Sequence, residues 1–141
     1  MTLLLVPLVL QALATAVDEA WYHRRRGLPR WERIGHPLDT LTVAATYAWG
    51  LAGGSLAGYV ALASFSCLFV TKDEVVHQRA CASGEHWVHA LLFVLHPIVF
   101  LAVALLLRDG RVAVVALLLA ATIAWGLYQL VHWNRSWKRA R

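Results

Sequence analysis

Four pairs of residues repeat one pattern, an acid followed four positions later by a histidine: Glu19 and His23, Glu32 and His36, Asp73 and His77, Glu85 and His89. Residues four apart lie one turn apart on the same face of an α-helix. Each pair therefore offers a carboxylate and an imidazole side by side, a donor set suited to zinc, iron or manganese. Glu74, three positions before His77, competes with Asp73 for the same role, and the spacing leaves that choice open. Seven of the eight acidic residues fall in this part of the chain, Asp109 being the exception. Four carboxylates gathered together repel, and two divalent cations would balance them. Eight donors also exceed what one tetrahedral ion takes. The expectation is a two-metal centre, iron first and zinc second, with Glu19, His23, Glu32, His36, Asp73, Glu74, His77, Glu85 and His89 as its candidate ligands.

Three further residues sit where they would support such a centre. Asp39 follows Glu32 by seven, on the same helix face. It is a candidate partner for a ligating histidine, or an extra ligand. His96 follows Glu85 by eleven, again on that face, roughly 10 Å deeper than His89 at 1.5 Å per residue. His132, near Tyr128 and Gln129, ends the last apolar run and is placed to close the site from the side. Cys81 follows His77 by four and reads more readily as a small buried residue. Cys67 and Cys81 fall on one expected helix, roughly 21 Å apart, too far for a disulfide.

The elements that must carry these residues are membrane helices. The 141 residues are 60% hydrophobic and 15% charged, with mean hydropathy +0.58. Apolar runs cover 2–17, 41–70, 90–107 and 112–131, and spanning a bilayer takes about 20 apolar residues. The run through 70 is too long for one span and contains Gly53-Gly54-Ser55, which is turn chemistry with a helix cap behind it. Split there, the chain reads as an all-α polytopic membrane protein of five transmembrane helices, about 2–26, 31–51, 55–81, 85–107 and 111–135. The breaks are Gly27-Leu28-Pro29, Gly53-Gly54, Ser83-Gly84 and Asp109-Gly110. Ala14-Thr15-Ala16 resembles a signal-peptide cleavage site, but no Lys or Arg precedes it, so the first segment is kept as a helix. Of 13 lysines and arginines, eleven then fall at one side and Arg108 and Arg111 at the other. The positive-inside rule makes the crowded side cytoplasmic, with the N-terminus outside an inner (plasma) membrane. The net charge of +5 reads as topology and attraction to anionic lipids. No basic stripe with interleaved aromatics points to nucleic acid. Tryptophans 21, 31, 87, 133 and 137 read as an interfacial belt.

The matching acids and histidines are offset by 54, 54, 53 and 53 positions. That regularity predicts an internal repeat within one membrane domain, 1–141. Two helical hairpins, about 2–51 and 55–107, would lie parallel to each other and form a four-helix bundle, with a fifth helix at about 111–135. This arrangement resembles the di-iron and di-manganese carboxylate four-helix bundles, which use a Glu from two helices and Glu-x-x-His from the other two. Glu74-Val75-Val76-His77 matches that motif; the other pairs have one more residue between acid and histidine. The resemblance covers about residues 15–96, concerns architecture, and implies redox chemistry at paired metals. The chain is similar in outline to membrane fatty-acid hydroxylases and desaturases, without their His-x-x-His-His boxes, and to ceramidase-like zinc hydrolases, without a shared motif. The expected function is a metal-dependent oxidoreductase acting on a lipid or hydrophobic substrate at the cytoplasmic leaflet. The alternatives are a metal sensor or transporter and a zinc-dependent membrane hydrolase.

Overall fold

Why the polar end of the molecule is assembled as it is follows from where each helix starts and stops. The computed structural model describes residues 2–74, 77–78 and 81–136, with the backbone alone at Asp73 and Ser136. The expectations for Arg79, Trp137, Lys138, Arg139 and Arg141 lie outside these residues. The apolar N-terminal run forms α1 (Thr2–Arg26). It is α-helical through Val17, widens into a π turn over Asp18–His23, and ends with Arg24–Arg26. Gly27 follows at φ 76°, a left-handed conformation that glycine adopts without a Cβ clash, and its N–H closes on the His23 carbonyl at 2.7 Å. Pro29 is extended and starts α2 (Arg30–Leu51).

After the Gly53-Gly54 turn, the Ser55 hydroxyl accepts from the Gly58 N–H at 3.2 Å. This is the N-cap expected from sequence, and α3 (Leu56–Phe69) begins there. A 3-10 turn, Val70–Asp73, continues α3, and Glu74, His77 and Gln78 are helical. The next break differs slightly from expectation. Ser83 and Gly84 form the first turn of α4 (Ser83–Arg108) rather than the loop, because the chain reverses at extended Ala82. Finally α5 (Val112–Val131) runs into a second π turn, His132–Ser136. The described residues contain no strand.

Three helical segments are long and apolar enough to cross a membrane: Thr2–Arg26, Ser83–Arg108 and Val112–Arg135. The apolar stretch Leu56–Lys72 is shorter, and α2 carries Arg30, Glu32, Arg33 and Asp39 in its first half. Burial is inverted relative to a water-soluble domain. Leu68 and Leu117 are more than 70% exposed while Glu32 and Thr46 are fully buried. Apolar surface on that scale belongs against another apolar phase, as in a membrane protein.

The packing does not follow chain order. α1 packs chiefly on α4, and α2 chiefly on α5 and then α3. Consecutive α1 and α2 touch far less than either touches those neighbours. The fifth helix is thus an integral wall rather than an appendage. Away from the charged end, Leu8, Val43, Tyr47, Tyr59, Val99, Phe100 and Val103 form the apolar core. Tyr59 donates there to the Phe100 carbonyl at 2.8 Å. One proline helps dock α5. Pro37 has no N–H, so it cannot serve the Arg33 carbonyl one turn earlier; Asn134 Nδ2, in the second π turn, lies 3.4 Å from that oxygen and donates to it. Alternating helix directions bring the C-terminal ends of α1, α3 and α5 and the N-terminal ends of α2 and α4 to one end.

Candidate metal centre

At that end the structure gathers titratable side chains from α1, α2, the continuation of α3, and α4. Asp18, Glu19, His23, Glu32, His77, Glu85 and His89 are all buried, and His36 is nearly so. Two groups have donor atoms close enough to share an ion. One combines Asp18 and His23 of α1 with Glu85 and His89 of α4; the other combines Glu32 and His36 of α2 with His77. The groups adjoin: the His23 and His36 rings are 4.9 Å apart, and those of His77 and His89 are 4.2 Å apart. His77 and His89 also lie within such reach of Cys81.

The orientation of the imidazoles is the most informative feature. His23 has Nδ1 3.4 Å from Glu19 Oε2, to which it donates, and Nε2 3.2 Å from Asp18 Oδ2 and 3.7 Å from Glu85 Oε1. His36 turns Nδ1 toward Asp39 Oδ2 at 4.0 Å. His77 turns Nδ1 toward Glu74 Oε2 at 4.0 Å, with Nε2 3.3 Å from Glu32 Oε1. In all three rings Nε2 is buried and makes no hydrogen bond, and Glu32 Oε1 is likewise unbonded. Carboxylates behind one nitrogen and an unsatisfied nitrogen in front are the arrangement of metal-ligating histidines. His89 is reversed: Nε2 meets Asp18 Oδ1 at 3.1 Å and Nδ1 is the unbonded atom. His77 Nδ1 is unbonded as well. Unsatisfied buried polar atoms each cost about 1–3 kcal/mol, so six of them together call for a common cause.

Glu19 stands behind His23 rather than in front of it. One oxygen faces His23 Nδ1, and the other accepts from the indole N–H of Trp133. Asp18 occupies the forward position. It escapes a reading based on four-residue spacing, since it precedes His23 by five; the π turn makes that separation adjacent. Asp39 pairs with Lys72 Nζ at 2.6 Å besides facing His36. The expected contribution of Asp73 concerns a side chain outside the described set, and the Glu74 side chain is 39% exposed. His132 stacks on Tyr128 and sits edge-on to Trp133, one ring away from the centre.

Trp133 and Arg26 were not expected in the site. Trp133 is completely buried, whereas Trp87 of the expected belt is 78% exposed. The Arg26 guanidinium joins Glu32 Oε2 and Glu85 Oε1, each at 2.8 Å, and so ties the two groups together. Its neighbours do other things: Arg24 donates to Tyr128 and Arg25 lies over Trp21. Four buried carboxylates beside one guanidinium leave three negative charges uncompensated when the imidazoles are neutral. Charge buried in this way calls for a counter-charge.

Below the cluster lies a cavity of about 440 Å³. Asp18, His23, His36, His77 and His89 line it together with apolar residues such as Leu92, Phe93 and Leu118. His96 borders it, bonded through Nε2 to Ser66 Oγ at 3.0 Å and within 3.4 Å of Gln11 Nε2 through Nδ1. The volume suits one small hydrophobic ligand. No protein-family model, no curated protein and no solved structure matches the chain.

Proposed function

We propose that this is a membrane-embedded protein holding two divalent metal ions, and that it acts as a metal-dependent oxidoreductase on a lipid or other hydrophobic substrate. The observation that carries the reading is the set of buried, unbonded imidazole nitrogens on His23, His36 and His77, of which those on His23 and His77 face buried carboxylates and that on His36 belongs to the group with Glu32 and His77. Asp18, His23, Glu85 and His89 would hold one ion. Glu32, His36 and His77 would hold the other. Glu19, Asp39 and Glu74 would orient His23, His36 and His77 from behind. With Arg26 in place, two divalent ions turn a net charge of −3 into +1, and one ion turns it into −1. Either is easier to bury than the metal-free cluster.

The two sets differ in completeness. Four protein donors close a tetrahedral ion, whereas three leave a position for a reacting group. The reacting ion is therefore the one at Glu32, His36 and His77; both groups border the cavity. Iron there supplies oxygen chemistry and zinc supplies a Lewis acid. The cavity's apolar walls favour a hydrophobic substrate, which reaches the site from the bilayer. The balance of arginines and lysines supports five spans with this end in the cytoplasm. A zinc hydrolase is the second reading, favoured by four imidazoles among the donors.

Elemental analysis of protein purified without added metal tests the proposal. The expected result is about two ions per chain, falling in a His36→Ala, His89→Ala double variant. Iron with oxygen-sensitive absorption supports the redox reading, and zinc supports hydrolysis. Unchanged metal content in the double variant, or none in the wild type, would remove the proposal.

A further inference from the structure

The lone pair of His89 does not face Asp18. An ionised carboxylate only accepts, so the 3.1 Å contact between His89 Nε2 and Asp18 Oδ1 is donated by the imidazole. When the ring is neutral its lone pair then sits on Nδ1, the nitrogen that is buried and unbonded. His77 keeps both ring nitrogens buried and unbonded, so either can carry the lone pair. Both histidines belong to a third group of donors. Atoms of His77, Cys81 and His89 lie within 4.8 Å of one another. Local structure puts them there. The Cys81 N–H closes on the His77 carbonyl at 3.0 Å, which sets the cysteine one turn beyond the histidine on the same face. The reversal at extended Ala82 then starts α4, which brings His89 back to them. The two imidazoles are 4.2 Å apart. Cys81 does not line the cavity. It is half-buried beside the exposed residues 82–84, so an ion reaches it from the turn.

The donor types differ from those of the other two groups, since no carboxylate is among them. One thiolate and two imidazoles make a soft set. Zinc in a closed protein site takes four ligands. Copper takes trigonal sets of two histidines and a cysteine, and thiolate favours copper(I). We propose that His77, Cys81 and His89 form a site for a single copper(I) ion. The Cys81 thiol, which bonds to Glu85, releases its proton as the sulfur–copper bond forms. The thiolate then cancels the single charge of the ion, whose oxidation state does not change. Asp18 keeps its bond to His89 Nε2 and orients that ring from behind. A neutral imidazole has one lone pair and serves one ion at a time. The site takes His77 from one carboxylate-containing group and His89 from the other, so copper here competes with ions in both. It does not require the two-ion reading; it names the ion that would compete with it.

The test is a titration of chelator-stripped, full-length protein in nanodiscs with copper(I) against a colorimetric copper(I) chelator, with copper X-ray absorption on the same samples. The expected result is one copper per chain with one sulfur and two nitrogen neighbours. Cys81→Ser should weaken binding by more than about 100-fold, beyond the range for residues that only support a ligand. Cys67→Ser should leave it unchanged. Where manganese(II) has been loaded first, copper(I) should release it from the wild type, read by electron paramagnetic resonance, and not from Cys81→Ser. No copper binding, binding unaltered by Cys81→Ser, or zinc held in preference through the same sulfur overturns the proposal. If Cys81→Ser fails to fold, the sulfur signal in Cys67→Ser protein decides, because Cys81 is then the only cysteine. Copper held by Cys81 in protein that never takes two ions would remove the two-ion reading and leave this one; two ions without Cys81-dependent copper would do the reverse.

Discussion

The two candidate ligand groups are built from the same residue types but differ in how they are closed. Asp18, His23, Glu85 and His89 bring two carboxylates and two imidazoles from the tightly packed α1 and α4, and all four are buried. Glu32, His36 and His77 bring one carboxylate and two imidazoles, with His36 partly exposed. In the first group Asp18 already bonds His89, and Glu19 is fixed by both His23 and Trp133. In the second, the carboxylates behind the imidazoles stand at 4.0 Å, beyond hydrogen-bond range. The first group is the more fully tied by hydrogen bonds and the second the looser. A site for chemistry needs the looser kind, because a reactant must find an open position.

Several substitutions break or sharpen this contrast. Removing a forward ligand has the largest effect, since metal binding at a folded site is worth on the order of 10 kcal/mol. His23→Ala should cost the ion of the first group together with much of the thermal stability. His77→Ala should cost the second ion and leave the fold more stable than His23→Ala does. Metal stoichiometry and melting temperature on the same samples check both. Arg26→Ala comes next. It leaves Glu32 and Glu85 unbalanced and should destabilise metal-free protein by about 3–5 kcal/mol. Added metal should restore much of that loss, which a purely structural ion pair would not permit; denaturant titration with and without metal decides.

Substitutions behind the imidazoles should be smaller and local. Glu19→Gln should weaken the first ion about 10- to 100-fold, the range for residues supporting a ligand. Asp39→Asn should weaken the second ion less, since its contact is longer. Competition with a chelator, read separately for each ion, checks the order. The smallest effect belongs to Trp133→Phe, which deletes one hydrogen bond to Glu19 and should cost about 1–3 kcal/mol of stability. If Trp133 were only a membrane-belt residue, the same change would leave melting unaltered.

How much of this is legible in the chain depends on whether the signal is local. The turns at Gly27 and Gly53, the cap at Ser55 and the helices they separate are written in short stretches whose backbone preferences act alone. Glu32, His36, Glu85 and His89 follow the four-residue spacing of an ordinary helix, and the structure gathers them at the same end. Asp18 does not follow it, because its neighbourhood is wound as a π turn that periodicity cannot announce. Trp133 and Arg26 were read as interface and topology residues. Their types fit those roles, and only α5 lying against the site and the Gly27 reversal beside Glu32 show otherwise.

The amino-acid sequence by itself determined that the chain is helical and too apolar for water, where its helices break, and that acids and histidines recur on helix faces at one end. These follow from local conformational preference and from the cost of exposing apolar surface. Only the tertiary structure decided that α1 meets α4 and α2 meets α3 and α5. It also decided which nitrogen of each imidazole faces inward and which carboxylate stands in front. The physical reason is that those outcomes depend on packing between segments far apart in the chain, and a buried donor atom is defined by what surrounds it.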